Sequence, residues 1–123
     1  MQTPVATPVA TLVAYKVLTA EQMQALEHEG SFAGAPIDLA DGYIHLSTHA
    51  QLTETVDKHF AGQTGLWVAS VDLEALGAAV KWEESRGGQP FPHIYAPLPL
   101  SAVLAYGELT RDDDGNVQLP VAG

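Results

Sequence analysis

Asp41-Gly42-Tyr43-Ile44-His45-Leu46-Ser47-Thr48 is the stretch on which the fold turns. Asp-Gly is a turn pair, and the residues after it alternate. Ile44 and Leu46 point to one face, Tyr43, His45 and Ser47 to the other, as in a half-buried strand. Thr48 stands three residues before Gln51, a capping box that opens a helix. Leu52, Val56 and Phe60 then recur on one helical face, and Gly62 is read as its end. A strand therefore runs straight into a helix at Ser47-Thr48.

Outward from this core, Phe91-Pro92-His93-Ile94-Tyr95-Ala96-Pro97 repeats the design. His93 and Tyr95 share one face and Ile94 takes the other, in a strand expected from His93 to Ala96 between two prolines. Leu12 to Leu18 reads as an earlier strand. Thr19 and Gln22 form another capping box, for a helix carrying Met23 and Leu26 and closed by Gly30. Ser31 to Gly42 reads as a loop, long enough to be functional. Leu66 to Val71 suits a central strand, and Asp72 to Leu76 a helical turn or loop. Val80 to Glu84 is another strand, Ser85 to Pro90 a breaker-rich loop, and Val103 to Leu109 the last clear strand. Asp113 to Asn116 is a turn. Strands outnumber helices without alternating strictly with them. The expected class is α+β, a single domain of small mixed or antiparallel sheets with two main helices. The domain is expected over residues 12–120. Residues 1–11, with Thr3-Pro4-Val5-Ala6 repeated as Thr7-Pro8-Val9-Ala10, read as a disordered leader, and 121–123 as a tail.

A chain of 123 residues, 46% of them hydrophobic, builds one core without staples. The absence of cysteine excludes disulfides, thiol nucleophiles and iron–sulfur clusters. A net charge of -10 repels phosphate backbones and anionic lipid, so neither nucleic acid nor membrane is an expected partner. No apolar run reaches the length of a membrane span, and the first residues lack a basic region leading into an apolar one. A cytoplasmic location and a monomer or weak homodimer are expected.

With the isoleucines on the core, Tyr43, His45, Ser47, His93 and Tyr95 line a groove suited to a planar, polar small molecule. Ser47 and Thr48 lie at a helix N-terminus, where free amides favour an anion, and Thr48 also caps the helix. Arg86, in a glycine-flanked loop, offers a planar fork for phosphate or carboxylate. The plainer use of Arg86 is an ion pair with Glu83 or Glu84. His45 and His93 are the expected catalytic residues. Tyr43, Ser47, Thr48, Glu84, Arg86 and Tyr95 are the expected ligand-binding set. His45, His49, His93 and Asp41 are metal-ligand types, but His45 and His49 straddle a strand-to-helix change, so no metal is expected. Glu83 and Glu84 face opposite sides of a strand and cannot form a glycosidase pair. No G-x-S-x-G, phosphate-loop or dinucleotide fingerprint occurs.

Asp41 to Thr48, Trp82 to Gly88 and Phe91 to Leu98 together resemble an uncharacterised, mostly bacterial group, domain of unknown function family 952. The resemblance runs from Tyr15 to about Pro120, with Ala96 where the family often has glycine. That family is grouped by fold with the ADP-ribosyltransferases, which hold NAD between two small sheets. The resemblance therefore implies an ADP-ribosylation-like fold, with Tyr43 to Ser47 similar to the segment lining the nicotinamide pocket. Tyr15-Lys16 stands where active members have histidine or arginine, and His93 where many carry a glutamate. The glutathione S-transferase label sometimes attached to members implies two domains, for which this chain is too short. The expected ligand is an NAD-derived or other nucleotide-like metabolite, with no further cofactor. The expected chemistry is transfer or hydrolysis at a glycosidic carbon. The alternative is a non-catalytic ligand-binding or protein-interaction module.

Overall fold

The computed structural model describes residues 12–84 and 88–120. The leader, the last three residues and Arg86 fall outside the described residues. The first sheet holds β1 (Val13–Thr19), β4 (Leu66–Asp72) and β8 (Val103–Glu108) in the order β1-β4-β8. Its ladders are antiparallel, from Val13 opposite Asp72 to Thr19 opposite Leu66, with one register shift between Ser70 and Val71 where β4 meets β8. The second sheet holds β3 (Ile44–His45), β5 (Val80–Glu84) and β6 (Pro90–Ile94) in the order β3-β6-β5, again antiparallel. A short ladder joins β2 (Ser31–Phe32) to β7 (Leu98–Pro99).

The helices are α1 (Ala20–Glu29), α2 (Pro36–Asp41), α3 (His49–His59) and α4 (Leu73–Leu76). Both capping boxes form as read. Gln22 N–H donates to Thr19 Oγ1 at 3.1 Å, and Gln51 N–H to Thr48 Oγ1 at 3.3 Å. The α+β class holds, with four helices where two main ones are expected, and with β-ladders that are all antiparallel. The segment from Ser31 to Gly42 is not a plain loop. Proline in the first turn of α2 fixes a helical φ, and Asp38 accepts the Ala35 N–H at 2.8 Å. Gly42 then ends α2 at φ 90°, its N–H on the Asp38 carbonyl at 2.8 Å.

β6 also differs from the expected His93 to Ala96 strand, because it runs through Pro92. Leu46 N–H donates to the Pro92 carbonyl at 3.1 Å, so Pro92 turns its hydrogen-bonding edge toward β3. In an antiparallel pair that position would return an N–H, and proline has none. β3 accordingly stops at His45. The chain crosses to the first sheet, where Ser47 and Tyr15 exchange backbone bonds of 2.8 and 2.9 Å.

Between the sheets lie Ala14, Leu18, Ile44, Val71 and Ile94, covered by Met23 and Leu26 of α1. A second cluster packs Val17, Leu66 and Val68 of the first sheet under Leu52 and Val56 of α3. Burying each valine, leucine, isoleucine or methionine among them contributes roughly 1.5–3 kcal/mol. Lys16 shares a strand face with Ala14 and Leu18, so this charged residue projects into the inter-sheet core and is only 5% exposed. No helix among the described residues is long and apolar enough to cross a membrane.

Candidate functional site

The second sheet sorts its residues by face. Ile44, Ile94 and Val80 lie opposite one another on the core side. One residue along, His45, His93 and Lys81 lie opposite one another on the other side. Tyr43 and Tyr95 flank this row just beyond the strand ends. Tyr43 stacks on His93 with centroids 4.1 Å apart and planes at 23°. It also lies 4.8 Å from the His45 ring and 5.2 Å from Tyr95, while the two histidine rings meet edge-on at 5.4 Å.

His45 is fully engaged. Its Nδ1 is 2.6 Å from Asp38 Oδ1 and its Nε2 is 3.0 Å from Asp41 Oδ2, both on α2. The Asp38 contact has hydrogen-bond geometry, with the carboxylate accepting from a protonated Nδ1, and the Asp41 contact is an ion-pair distance. Asp38 is the hub. It is 1% exposed, and besides His45 Nδ1 it accepts Lys16 Nζ at 2.9 Å and the backbone N–H groups of Ala35 and His45. Burial alone would raise its carboxyl. The hydrogen bond from His45 and the charge of Lys16 outweigh burial and hold it well below the usual carboxylate range. Burial pulls the Lys16 ammonium down, with Asp38 opposing. Gly34 closes this corner: a Cβ there would come within 2.9 Å of Asp38 Cβ.

Among the described residues, His93 is held on one side only. Its Nδ1 is 2.7 Å from Glu83 Oε1, and the ring is buried. The Tyr95 hydroxyl donates to the same carboxylate, at 2.8 Å to Oε1 and 3.0 Å to Oε2. These bonds, that from His93 first, hold Glu83 low, and the bond to Glu83 pushes Tyr95 up to about 12. Lys81 Nζ sits 4.9 Å from the Tyr95 ring centroid, a cation–π distance. His93 Nε2 has no hydrogen-bond partner among the described residues.

A cleft of about 250 Å³ opens past the Tyr43 and Tyr95 end of the row, lined by those two rings, by Asp38 and Leu39, and by Ile44 and Ile94 of the core side, but by neither His45 nor His93. A wider depression of about 650 Å³ along the solvent face of α1, near Glu21, Glu27 and His28, is lined by neither His45 nor His93. The smaller one touches the row through Tyr43 and Tyr95 and the buried network through Asp38.

The family model described as "Protein of unknown function (DUF952)" matches residues 17–106. The chain belongs to this family. Among solved structures it is similar to the crystal structure of protein CC0527 from Caulobacter crescentus, at 45% identity and a TM-score of 0.79. That match covers 86% of this chain and 93% of the other. The solution structure of CC0527 gives 44% identity and a TM-score of 0.74, covering 87% and 91%. No curated protein matches. The DUF952 match spans both histidines, Asp38, Asp41, Glu83 and Tyr95, and begins one residue after Lys16.

Within this DUF952 domain, four of the residues singled out from the sequence come together: Tyr43, His45, His93 and Tyr95. Ser47 does not join them. The crossing to β1 takes it out of the second sheet, and its Oγ lies buried 2.8 Å from Thr55 Oγ1 of α3. Thr48 uses its hydroxyl as the α3 cap. Glu84 follows Val80 and Trp82 in the strand alternation and so lies on the face away from the histidines, exposed. His49 stands beside Tyr15, 6.4 Å between ring centroids. Among the described residues no group of three or more histidines and acids is arranged to hold a metal ion. Asp38, Lys16 and Glu83 were absent from the expected site. A lysine at an inward position of β1 is the one local signal for the buried network.

Proposed function

We propose that the Tyr43–His45–His93–Tyr95 face binds a planar, polar small molecule, NAD-derived or otherwise nucleotide-like. Support comes from one observation above the rest: Tyr43 stacked on His93, whose Nε2 has no hydrogen-bond partner among the described residues. Aromatic walls accept a flat heterocycle, and a nitrogen in the wall accepts or donates a proton. In the ADP-ribosyltransferase-like reading the chemistry is transfer or hydrolysis at a glycosidic carbon. His93 is its proton carrier and Arg86 the partner for a phosphate. His45, its Nδ1 bonded to Asp38 and its Nε2 3.0 Å from Asp41, is the second candidate carrier.

Thermal denaturation with NAD, ADP-ribose and mononucleotides tests this. A ligand at about a hundred times its Kd adds about 2.7 kcal/mol, raising Tm by several degrees. No shift with any of them overturns the proposal. NAD consumption over time separates an enzyme from a binding module. Arg86→Ala is expected to weaken a phosphorylated ligand by about 1.5–3 kcal/mol, with Arg86→Lys in between.

A further inference from the structure

We infer that Glu83 is a positioning residue: with Tyr95 it fixes the tautomer of His93, leaving Nε2 as the proton-accepting atom of the face. The inference rests on the reading of this face as the site, but its geometry stands without any ligand. At 2.7 Å, His93 Nδ1 and Glu83 Oε1 attract only when a proton lies between them. The carboxylate is an acceptor, so that proton belongs to Nδ1. In the neutral ring Nε2 is then bare. Free imidazole has no such rule, because either nitrogen can carry its proton.

Tyr95 completes the arrangement. Its hydroxyl proton is directed at both Glu83 oxygens, so the carboxylate receives donors from two sides and is pinned against rotation. Tyr95 is thereby a brace, not an acid. Among the described residues the groups facing this chain are Lys81 over the Tyr95 ring, Tyr43 stacked on His93, and His45 edge-on to it. When Nε2 takes a proton from bound water or a ligand hydroxyl, the new imidazolium already faces the Glu83 carboxylate. No group need move to stabilise it. The same atom then returns the proton.

The test uses the whole chain with nitrogen-15-labelled histidine and no ligand, recorded by proton–nitrogen correlation spectra of the imidazole rings. Above the titration of the ring, His93 is expected with a protonated Nδ1 and a bare Nε2. The opposite tautomer in the wild-type protein overturns the inference without recourse to any variant. Glu83→Gln presents an amide that serves either tautomer, so the Nδ1–H to Nε2–H ratio is expected to fall roughly tenfold or more. An unchanged ratio in a folded variant also overturns it. Tyr95→Phe is expected to move the ratio the same way by less, and His45 serves as the unmoved control. Failure here with a positive ligand screen removes Glu83 and keeps the binding reading. The expected tautomer with an empty screen does the reverse.

Discussion

His45 and His93 are opposite one another across a single pair of strands, yet their surroundings give them different work. The element packed on each ring makes the difference. His45 faces a helix, and acids three residues apart on one helical face, Asp38 and Asp41, reach both sides of the imidazole. His93 faces a strand, where every second residue shares a side and the alternation delivers Glu83 and then Lys81. Among the described residues one carboxylate reaches His93, and none claims its second nitrogen. A helix neighbour locks a ring; a strand neighbour orients it.

The largest effect that tests this contrast is expected at Asp38. Asp38→Ala strands the Lys16 ammonium in the inter-sheet core and removes an acceptor from two backbone amides. Breaking a buried pair in this way costs about 3–5 kcal/mol. Urea unfolding measures it, and a loss below about 1 kcal/mol would show that the His45 side is no more locked than the His93 side.

Next comes the acid limb of stability. Asp38 is held low in the folded chain, so the unfolded chain takes up its proton first. Its contribution is complete above the ordinary carboxylate value. It erodes as pH falls below that value toward the folded one, by up to about 1.4 kcal/mol per pH unit. Asp38→Asn is expected to flatten this limb in urea titrations between about pH 5 and about pH 2. A limb as steep as that of the wild type would assign acid sensitivity elsewhere.

The smallest effect on stability is expected at Glu83. Its pairing with His93 and Tyr95 lies at the solvent edge, where screening weakens it. Glu83→Gln is expected to melt close to the wild type while altering the response to any ligand that shifts Tm. A melting point that collapses instead would make Glu83 a second structural anchor and erase the contrast.

What the sequence disclosed follows from distance along the chain. The isoleucine and histidine–tyrosine faces of both strands are local period-two patterns and were legible, as were the two capping boxes. Ser47 misled because the alternation continues on paper past His45, whereas Pro92, on the partner strand, ends the ladder there. Alternation on β5 separates Glu83 from Glu84 but does not say which of them meets His93; that needs the register with β6. The Lys16–Asp38 pair joins β1 to a six-residue helix whose Gly, Ala, Pro and Asp neighbourhood resembles a loop. No local pattern links the two.

The strand order β1-β4-β8 has a consequence for the chain during its synthesis. β1 and β4 can pair while the C-terminal quarter is still being made. The other edge of β4, buried along most of its length in the finished protein, has no partner until Val103–Glu108 emerges. An open, apolar strand edge is a template for pairing with other chains. Truncation before β8 should therefore yield an aggregating product rather than a smaller folded one.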